Sequence, residues 1–186
     1  MAVFFGTCGR TCALAPVLGL IACALMTASC TSPSYQLLAM EAADRGDQKA
    51  ATSLAKKEVA RFSTPDQCSS TTSLNCGTLA LAYSSLAEYQ IRDGDKAAGE
   101  ASFNSAKGAL GWTDRGTRPS ATGMVYRDVS EAFWKVGDRA RAVAVFNEGR
   151  AAGGDSWLFT GSAARAAEQS ERGASPVVSP SPNLSP

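Results

Sequence analysis

The sequence predicts an all-α protein, and three observations support this fold class. Ala, Gly and Ser dominate the 186 residues and aromatic residues make up 8%, which suits closely packed helices better than a strand-rich core. Three Gly-Asp pairs begin at Gly46, Gly94 and Gly137. The same pattern of apolar and small residues surrounds each pair, and this indicates a repeated helical unit.

The residues on both sides of each Gly-Asp pair have helical spacing. Eleven, eight and seven residues before the glycine lie an aromatic, an aliphatic and a small residue: Tyr35, Leu38, Ala39; Tyr83, Leu86, Ala87; Tyr126, Val129, Ser130. Five, nine and twelve residues after it lie Ala51, Ala55, Glu58; Gly99, Phe103, Ala106; Ala142, Phe146, Gly149. Residues three and four apart share one helical face. Each unit is therefore predicted to be a helical hairpin with closely approaching helices.

The Gly-Asp pair is predicted to form the turn of each hairpin. Glycine accepts the left-handed conformation that ends the first helix, and the aspartate caps the second. A calcium loop is the alternative for such a segment, but the alternating oxygen ligands of an EF-hand are missing. We therefore interpret Asp138 as a helix cap and Phe146 as a core residue.

This pattern resembles the tetratricopeptide repeat (TPR), a 34-residue helical hairpin. The units run over about 32–65, 80–113 and 123–156, and the third, with Tyr126, Val129, Ser130 and Phe133 in its first helix, is the most similar. The first unit departs most, because Glu58 stands where the family has a small residue. The resemblance implies a short right-handed solenoid of about three repeats within residues 30–172, closed by a capping helix at about 155–172.

Two insertions separate the units, at 66–79 and 114–122. Both are polar and are predicted to be loops, either functional or simply tolerated on the surface. The tail 173–186 is rich in proline and serine and lacks charge, so we predict disorder with polyproline II character.

The first 30 residues resemble a bacterial lipoprotein signal. Arg10 precedes an apolar run of about 16 residues, too short to span a bilayer of about 30 Å as a helix, and a signal peptide at 1–29 fits better. The sequence MTASC ends at Cys30, where the signal resembles a lipobox, although Thr27 replaces the usual leucine. The resemblance implies acylation of Cys30, as with palmitate, and Thr31 favours the outer membrane by analogy. A secretory signal with an incidental cysteine is the alternative.

Export would leave Cys68 and Cys76 as an even pair in an oxidising compartment. The stretch CSSTTSLNC is polar, and a small disulfide-closed loop is the favoured interpretation. A metal site is disfavoured because two thiols without histidine supply too few ligands. A redox-active pair is also disfavoured, since the spacing is not Cys-x-x-Cys.

Composition argues against several classes of function. The net charge is +1, and 17 basic and 17 acidic residues follow the predicted signal, so no general electrostatic attraction to nucleic acid or anionic lipid is expected. Histidine is absent, which excludes Ser-His-Asp and Cys-His catalytic arrangements. We find no nucleotide-binding, zinc-protease or nucleophile-elbow motif. We therefore expect a protein that is not an enzyme and uses no cofactor, metal or small-molecule substrate.

The family resemblance implies that the first helix of each hairpin lines a groove for a partner peptide or helix. By position, this first-helix surface comprises Gln36, Met40, Ser84, Glu88, Arg92, Arg127, Glu131, Trp134 and Lys135. Arg127, Trp134 and Lys135 are the expected anchors, because aromatic residues and arginine dominate binding hot spots. Packing between repeats is the alternative for Trp134. For Glu88 with Arg92, and Glu131 with Lys135, ordinary i,i+4 ion pairs are favoured over acid–base catalysis.

These observations predict a lipid-anchored scaffold facing the periplasm. It would bind another envelope protein through the first-helix surface and assist assembly of secretion, pilus or outer-membrane machinery. The alternative is a permanent structural subunit of a larger envelope complex. A periplasmic hydrolase is less favoured, because a catalytic set is missing.

Overall fold

The computed structural model describes residues 34–174, and this part of the chain is helical throughout, without a strand. The all-α prediction is confirmed. The described residues belong to one compact unit. The α-helices are α1 (Tyr35–Asp44), α2 (Gln48–Phe62), α3 (Cys76–Arg92), α4 (Lys96–Trp112), α5 (Arg118–Lys135), α6 (Arg139–Ala151) and α7 (Ser162–Ala174), with a 3₁₀ helix at Ser156–Thr160 before α7.

The helices pack as three consecutive pairs. α1 packs on α2, α3 on α4 and α5 on α6, and each pair is joined by a three-residue turn. The two junctions between pairs differ. The first is made chiefly by α2 against α3, whereas the second is made chiefly by α3 against α5. The three pairs are therefore not stacked in one uniform way.

Each three-residue turn has the predicted geometry. Gly46, Gly94 and Gly137 adopt φ of 83°, 94° and 82°, a region that glycine enters without steric cost. The N–H group of the residue after each glycine donates a hydrogen bond to a carbonyl of the helix that has just ended. For example, the Asp138 N–H donates to the Phe133 carbonyl at 2.9 Å. This is the Schellman arrangement.

Aspartate caps the second helix of each pair. The side chains of Asp47, Asp95 and Asp138 accept hydrogen bonds from backbone N–H groups three residues on. These bonds satisfy donors that a helix start leaves unpaired. The interpretation of the Gly-Asp pairs as structural turns is confirmed.

Two hydrophobic clusters hold the pairs together. The larger one spans α3 to α7 and is built around the fully buried Phe103, Phe133 and Phe146. The smaller one joins the alanines of α1 and α2 to Leu86 and Tyr89 of α3. The first pair therefore depends on small side chains, each of which buries little apolar area.

Glycines within the second helices permit close approach. A Cβ at Gly149 would lie 2.6 Å from Cβ of Tyr126, and one at Gly99 would lie 2.5 Å from Cγ1 of Ile91. Both distances are far below van der Waals contact. The presence of glycine at position 99, with no side chain, thus has a packing reason.

The predicted insertions are shorter than expected. The segment 66–79 was expected to be a loop, but α3 already begins at Cys76; the segment 114–122 was expected to be flexible, but α5 begins at Arg118. Pro119 lies in the first turn of α5, where its missing N–H costs nothing. Cys68 and Cys76 are disulfide-bonded and buried, so the bridge connects the loop directly to the start of α3.

The predicted capping helix is divided into two elements. It was expected as one helix over about 155–172, but the 3₁₀ helix ends at Thr160 and α7 begins at Ser162. Leu158 of the 3₁₀ helix and three alanines of α7 close the larger core. The predicted signal 1–29, Cys30 and the tail beyond residue 174 lie outside the described residues.

Candidate partner-binding surface

The first-helix surface has its centre where α3 and α5 lie side by side. Glu88 of α3 is its central acid. The Arg92 Nη1 atom lies 3.2 Å from the Glu88 Oε1 atom, and the Lys135 Nζ atom of α5 lies 3.1 Å from the same oxygen. The expected i,i+4 pair of Glu88 with Arg92 is present. Lys135, however, pairs across the helix junction and not with Glu131 as expected.

Glu131 faces the C-terminal cap. Its carboxylate accepts hydrogen bonds from the backbone N–H groups of Ser162 and Ala163, the latter at 3.2 Å. It therefore caps the start of α7 and holds this helix against α5. This is the physical reason why Glu131 does not form the expected pair with Lys135.

Arg127 is held between a carboxylate and an aromatic ring. Its Nε atom donates to Asp128 Oδ1 at 2.9 Å, and its guanidinium lies 5.8 Å from the ring centre of Trp157. Burial raises the pKa of the Asp128 carboxyl above its ordinary value, against the lowering effect of Arg127. Half-buried and fixed in this way, Arg127 presents an ordered guanidinium.

Trp134 both packs against the core and lines an opening. It is half-buried against the larger core cluster, so the packing alternative is part of its role. The Arg139 guanidinium lies 3.9 Å from its ring centre, within cation–π distance. Trp134 also lines an open pocket of about 230 Å³ with Ser162, Arg165 and other residues of α7. The tryptophan is therefore partly buried against the core and partly accessible at the pocket.

The α1 part of the surface differs from the α3–α5 part. Met40 is 49% exposed, and Gln36 donates from Nε2 to Ser85 Oγ at 2.9 Å, which links α1 to α3. Ser84 is fully buried and donates to the Leu81 carbonyl. The expectation that Ser84 lines the surface is therefore corrected.

Three neighbours of the surface were not identified from the sequence. Asp128 lies outside the positions that the repeat template assigns to the surface, and Tyr89, next to Glu88 in the sequence, is buried in the smaller hydrophobic cluster. Burial and the nearby Glu88 charge raise the pKa of Tyr89 to about 12. Trp157 was also missed, although a fourth Gly-Asp pair, Gly154-Asp155, marks its turn: Asp155 accepts from the Trp157 N–H at 3.1 Å.

The surface offers fixed charges and an aromatic edge. Lys135 is its most exposed cation, with 52% of its side chain accessible, whereas Glu88 is 20% accessible. Within residues 34–174, no group of three or more Cys, Asp or Glu side chains is placed to hold a metal ion. Among the described helices, none is both long and apolar enough to cross a membrane. The surface thus presents groups that can bind a partner: the cations Arg92 and Lys135, the acid Glu88 between them, and the aromatic side chain of Trp134.

No protein-family model, curated protein or solved structure matches this chain.

Proposed function

We propose that the protein is a lipid-anchored scaffold of the bacterial envelope. It faces the periplasm, is built of TPR-like hairpins in a short right-handed solenoid, and binds another envelope protein through the first-helix surface. Its role is to assist the assembly of an envelope complex. The proposal assigns it a binding role and no catalytic one.

Export is supported by the lipobox-like MTASC segment and by the cysteine pair. The disulfide between Cys68 and Cys76 fits an oxidising compartment, since such bonds seldom persist in the cytosol. Cys30 is the proposed acylation site. Several acyl chains anchor a protein firmly, because each buried methylene contributes about 0.8 kcal/mol.

The TPR-like assignment is supported by the three turns and by the packing of the second helices. In every pair, a glycine with positive φ and a capping aspartate stand at the same place in the sequence pattern. The different junctions on the two sides of α3 depart from a regular solenoid. The inserted disulfide loop lies at the first junction.

One observation carries the binding role: α3 and α5 lie side by side and present Arg92, Lys135 and Trp134 on adjoining helices. The two cations share Glu88 and are partly exposed. A partner carboxylate that displaces Glu88 would keep both cations paired, while an apolar partner side chain would cover Trp134. Such a site fits an acidic, aromatic-rich segment.

The test is capture of the partner after mild crosslinking in cells. Tagged wild-type protein is compared with Lys135→Glu and with Trp134→Ala, and each variant is checked by circular dichroism because Trp134 also touches the core. Arg150→Glu is the matched control, since Arg150 is an exposed cation on α6 that pairs with Glu171. We expect one envelope protein to be captured by the wild type and the control, and much less by both surface variants. Equal capture by all four proteins, or by none, would refute the role of this surface.

A permanent structural subunit is the second candidate, favoured by exposed apolar side chains at both ends of the array. Leu37 and Met40 of α1 are 48% and 49% exposed, and Trp157 and Phe159 near the C-terminus are 48% and 43% exposed. Subunits that are permanently assembled bury such residues in obligate interfaces. Size-exclusion chromatography of residues 31–186 separates the candidates. A stable monomer supports the scaffold, whereas aggregation supports the obligate subunit.

A further inference from the structure

The outer face of α2 carries a row of cations. Lys49, Lys56, Lys57 and Arg61 are all exposed, and their spacing of seven, eight and twelve residues from Lys49 places them on one side of the helix. The single acidic residue of α2, Glu58, is 6% exposed and faces inward. We name these four side chains the α2 basic face.

These cations differ from most others in the molecule because they lack acidic partners. Within residues 34–174, none of the four forms an ion pair. By contrast, Arg141 of α6 is paired with both Glu100 and Glu148. The near-zero net charge of the chain is therefore compatible with a helix face on which four exposed cations form no ion pair.

The α2 basic face also lies near the start of the described chain. The Lys57 Nζ atom is 5.7 Å from the ring centre of Tyr35, the first residue of α1. Tyr35 follows Cys30 by five residues, and five residues span at most about 18 Å when extended. An anchor at Cys30 would thus keep Tyr35 within about 18 Å of the bilayer surface, a little over two Debye lengths of about 8 Å at physiological salt.

We propose that the α2 basic face docks on the anionic phosphate groups of the membrane to which the protein is anchored. This proposal rests on the proposed function for the Cys30 anchor, which supplies proximity, while the four cations supply charge complementarity. Contact with the bilayer would orient the array, because the face belongs to one helix of the first pair. The opposite end, with α5 and α7, would then project away from the membrane toward a partner.

The expected strength follows from electrostatics at an anionic surface. Each Lys or Arg close to the surface contributes attraction equivalent to about a 5-fold gain in binding. Removing two of the four charges is therefore expected to weaken binding about 25-fold at low salt. Raising the salt concentration to about 0.5 M should abolish most of the remaining binding, because salt at that concentration screens charges beyond a few ångströms.

The experiment measures co-sedimentation of acyl-free protein, residues 31–186, with vesicles. This fragment contains all of residues 34–174, which belong to one compact unit, and removes the contribution of the lipid anchor. Vesicles of phosphatidylglycerol and phosphatidylcholine (1:3) are compared with pure phosphatidylcholine. The variant Lys49→Gln/Lys56→Gln is compared with Arg115→Gln/Arg165→Gln, a matched loss of two exposed cations outside α2. Circular dichroism verifies that both remain folded.

We expect the wild type and the matched control to bind the anionic vesicles, and the α2 variant to bind about 25-fold more weakly. Equal binding to both vesicle types, or equal loss in both variants, would overturn the proposal. So would strong binding to duplex DNA without binding to vesicles, because the face would then serve a nucleic acid.

Failure of the anchor is measured separately, by incorporation of labelled palmitate into the full chain and its Cys30→Ser variant. Labelling of the wild type alone supports the anchor. Absence of labelling would refute the anchor in the proposed function, and with it the docking of α2 on an anchoring membrane, even if the acyl-free fragment binds vesicles. Labelling without vesicle binding would overturn this proposal and leave the anchor intact.

Discussion

Replacing Glu131 with alanine is expected to release the final helix from the array. The Glu131 carboxylate accepts from the N–H groups of Ser162 and Ala163, two of the donors that a helix start leaves unpaired. The remaining buried anchors of α7 are small alanines such as Ala164 and Ala167. The docking of this helix therefore depends heavily on one side chain.

The magnitude follows from these contacts. Loss of a helix cap costs about 0.5–2 kcal/mol, and a hydrogen bond to a charged group contributes about 1.5–3 kcal/mol. Because both N–H groups share one partly buried carboxylate, we expect Glu131→Ala to lower the free energy of unfolding by about 2 kcal/mol. In a domain of this size, that corresponds to a fall in Tm of about 5–10 °C.

Urea denaturation and amide hydrogen exchange measure this effect. The N–H groups of α7 should exchange faster in Glu131→Ala, while those of α3 and α4 keep their protection against local opening. Glu168→Ala is the control, because Glu168 is an exposed glutamate of α7 that pairs only within its own helix, with Arg172; a loss below about 0.5 kcal/mol is expected. Unchanged exchange of α7 in Glu131→Ala would refute the capping role.

Three further predictions concern packing, the disulfide and pH. Gly149→Ala should destabilise by about 1–3 kcal/mol in urea, because its Cβ would overlap α5, whereas Gly108→Ala, where nothing lies within 4 Å, should stabilise by about 0.5–1 kcal/mol; the reverse order would contradict the close-packing account. Replacing both Cys68 and Cys76 with serine should lower the free energy of unfolding by about 2–3 kcal/mol, and an unchanged denaturation midpoint would refute this contribution. The hydrogen bond from Lys96 lowers the pKa of Asp138 below 3.8. The ionised Asp138 should therefore stabilise the folded protein above pH 3.8, and this stabilisation should be lost as the pH falls through the lowered pKa. If Asp138→Asn shows the same dependence of stability on acid pH as the wild type, this prediction is contradicted.

The hairpin turns were predictable because their causes are local. The positive φ of Gly137 and the cap by Asp138 depend on residues within one turn of helix, and a sequence pattern reports such short distances directly. The identity of Phe146 as a core residue follows in the same way from helical spacing. The helix starts at Cys76 and Arg118 were missed, because polar and proline-containing segments are also compatible with loops.

The arrangement of charges on the first-helix surface was less predictable. Glu131 and Lys135 have the spacing of an ion pair, yet one caps α7 and the other pairs with Glu88 of α3. Each of these side chains could pair with a residue four positions away or with one more than thirty positions away. The relative placement of the helices decides between these partners, and a local sequence pattern does not encode that placement. Asp128 was overlooked for the same reason, since its burial arises from contacts between helices.

The sequence alone determined the all-helical class, the positions of the three Gly-Asp turns and their capping aspartates, since these depend on backbone preferences and on contacts within a few residues. It also carries the prediction of export and of acylation at Cys30, which remains a proposal. Only the tertiary structure decided that Ser84 is buried, that α7 is held by Glu131, and that the α2 basic face lacks acidic partners. Those features depend on which helix lies against which, and the packing of side chains distant in sequence determines that arrangement.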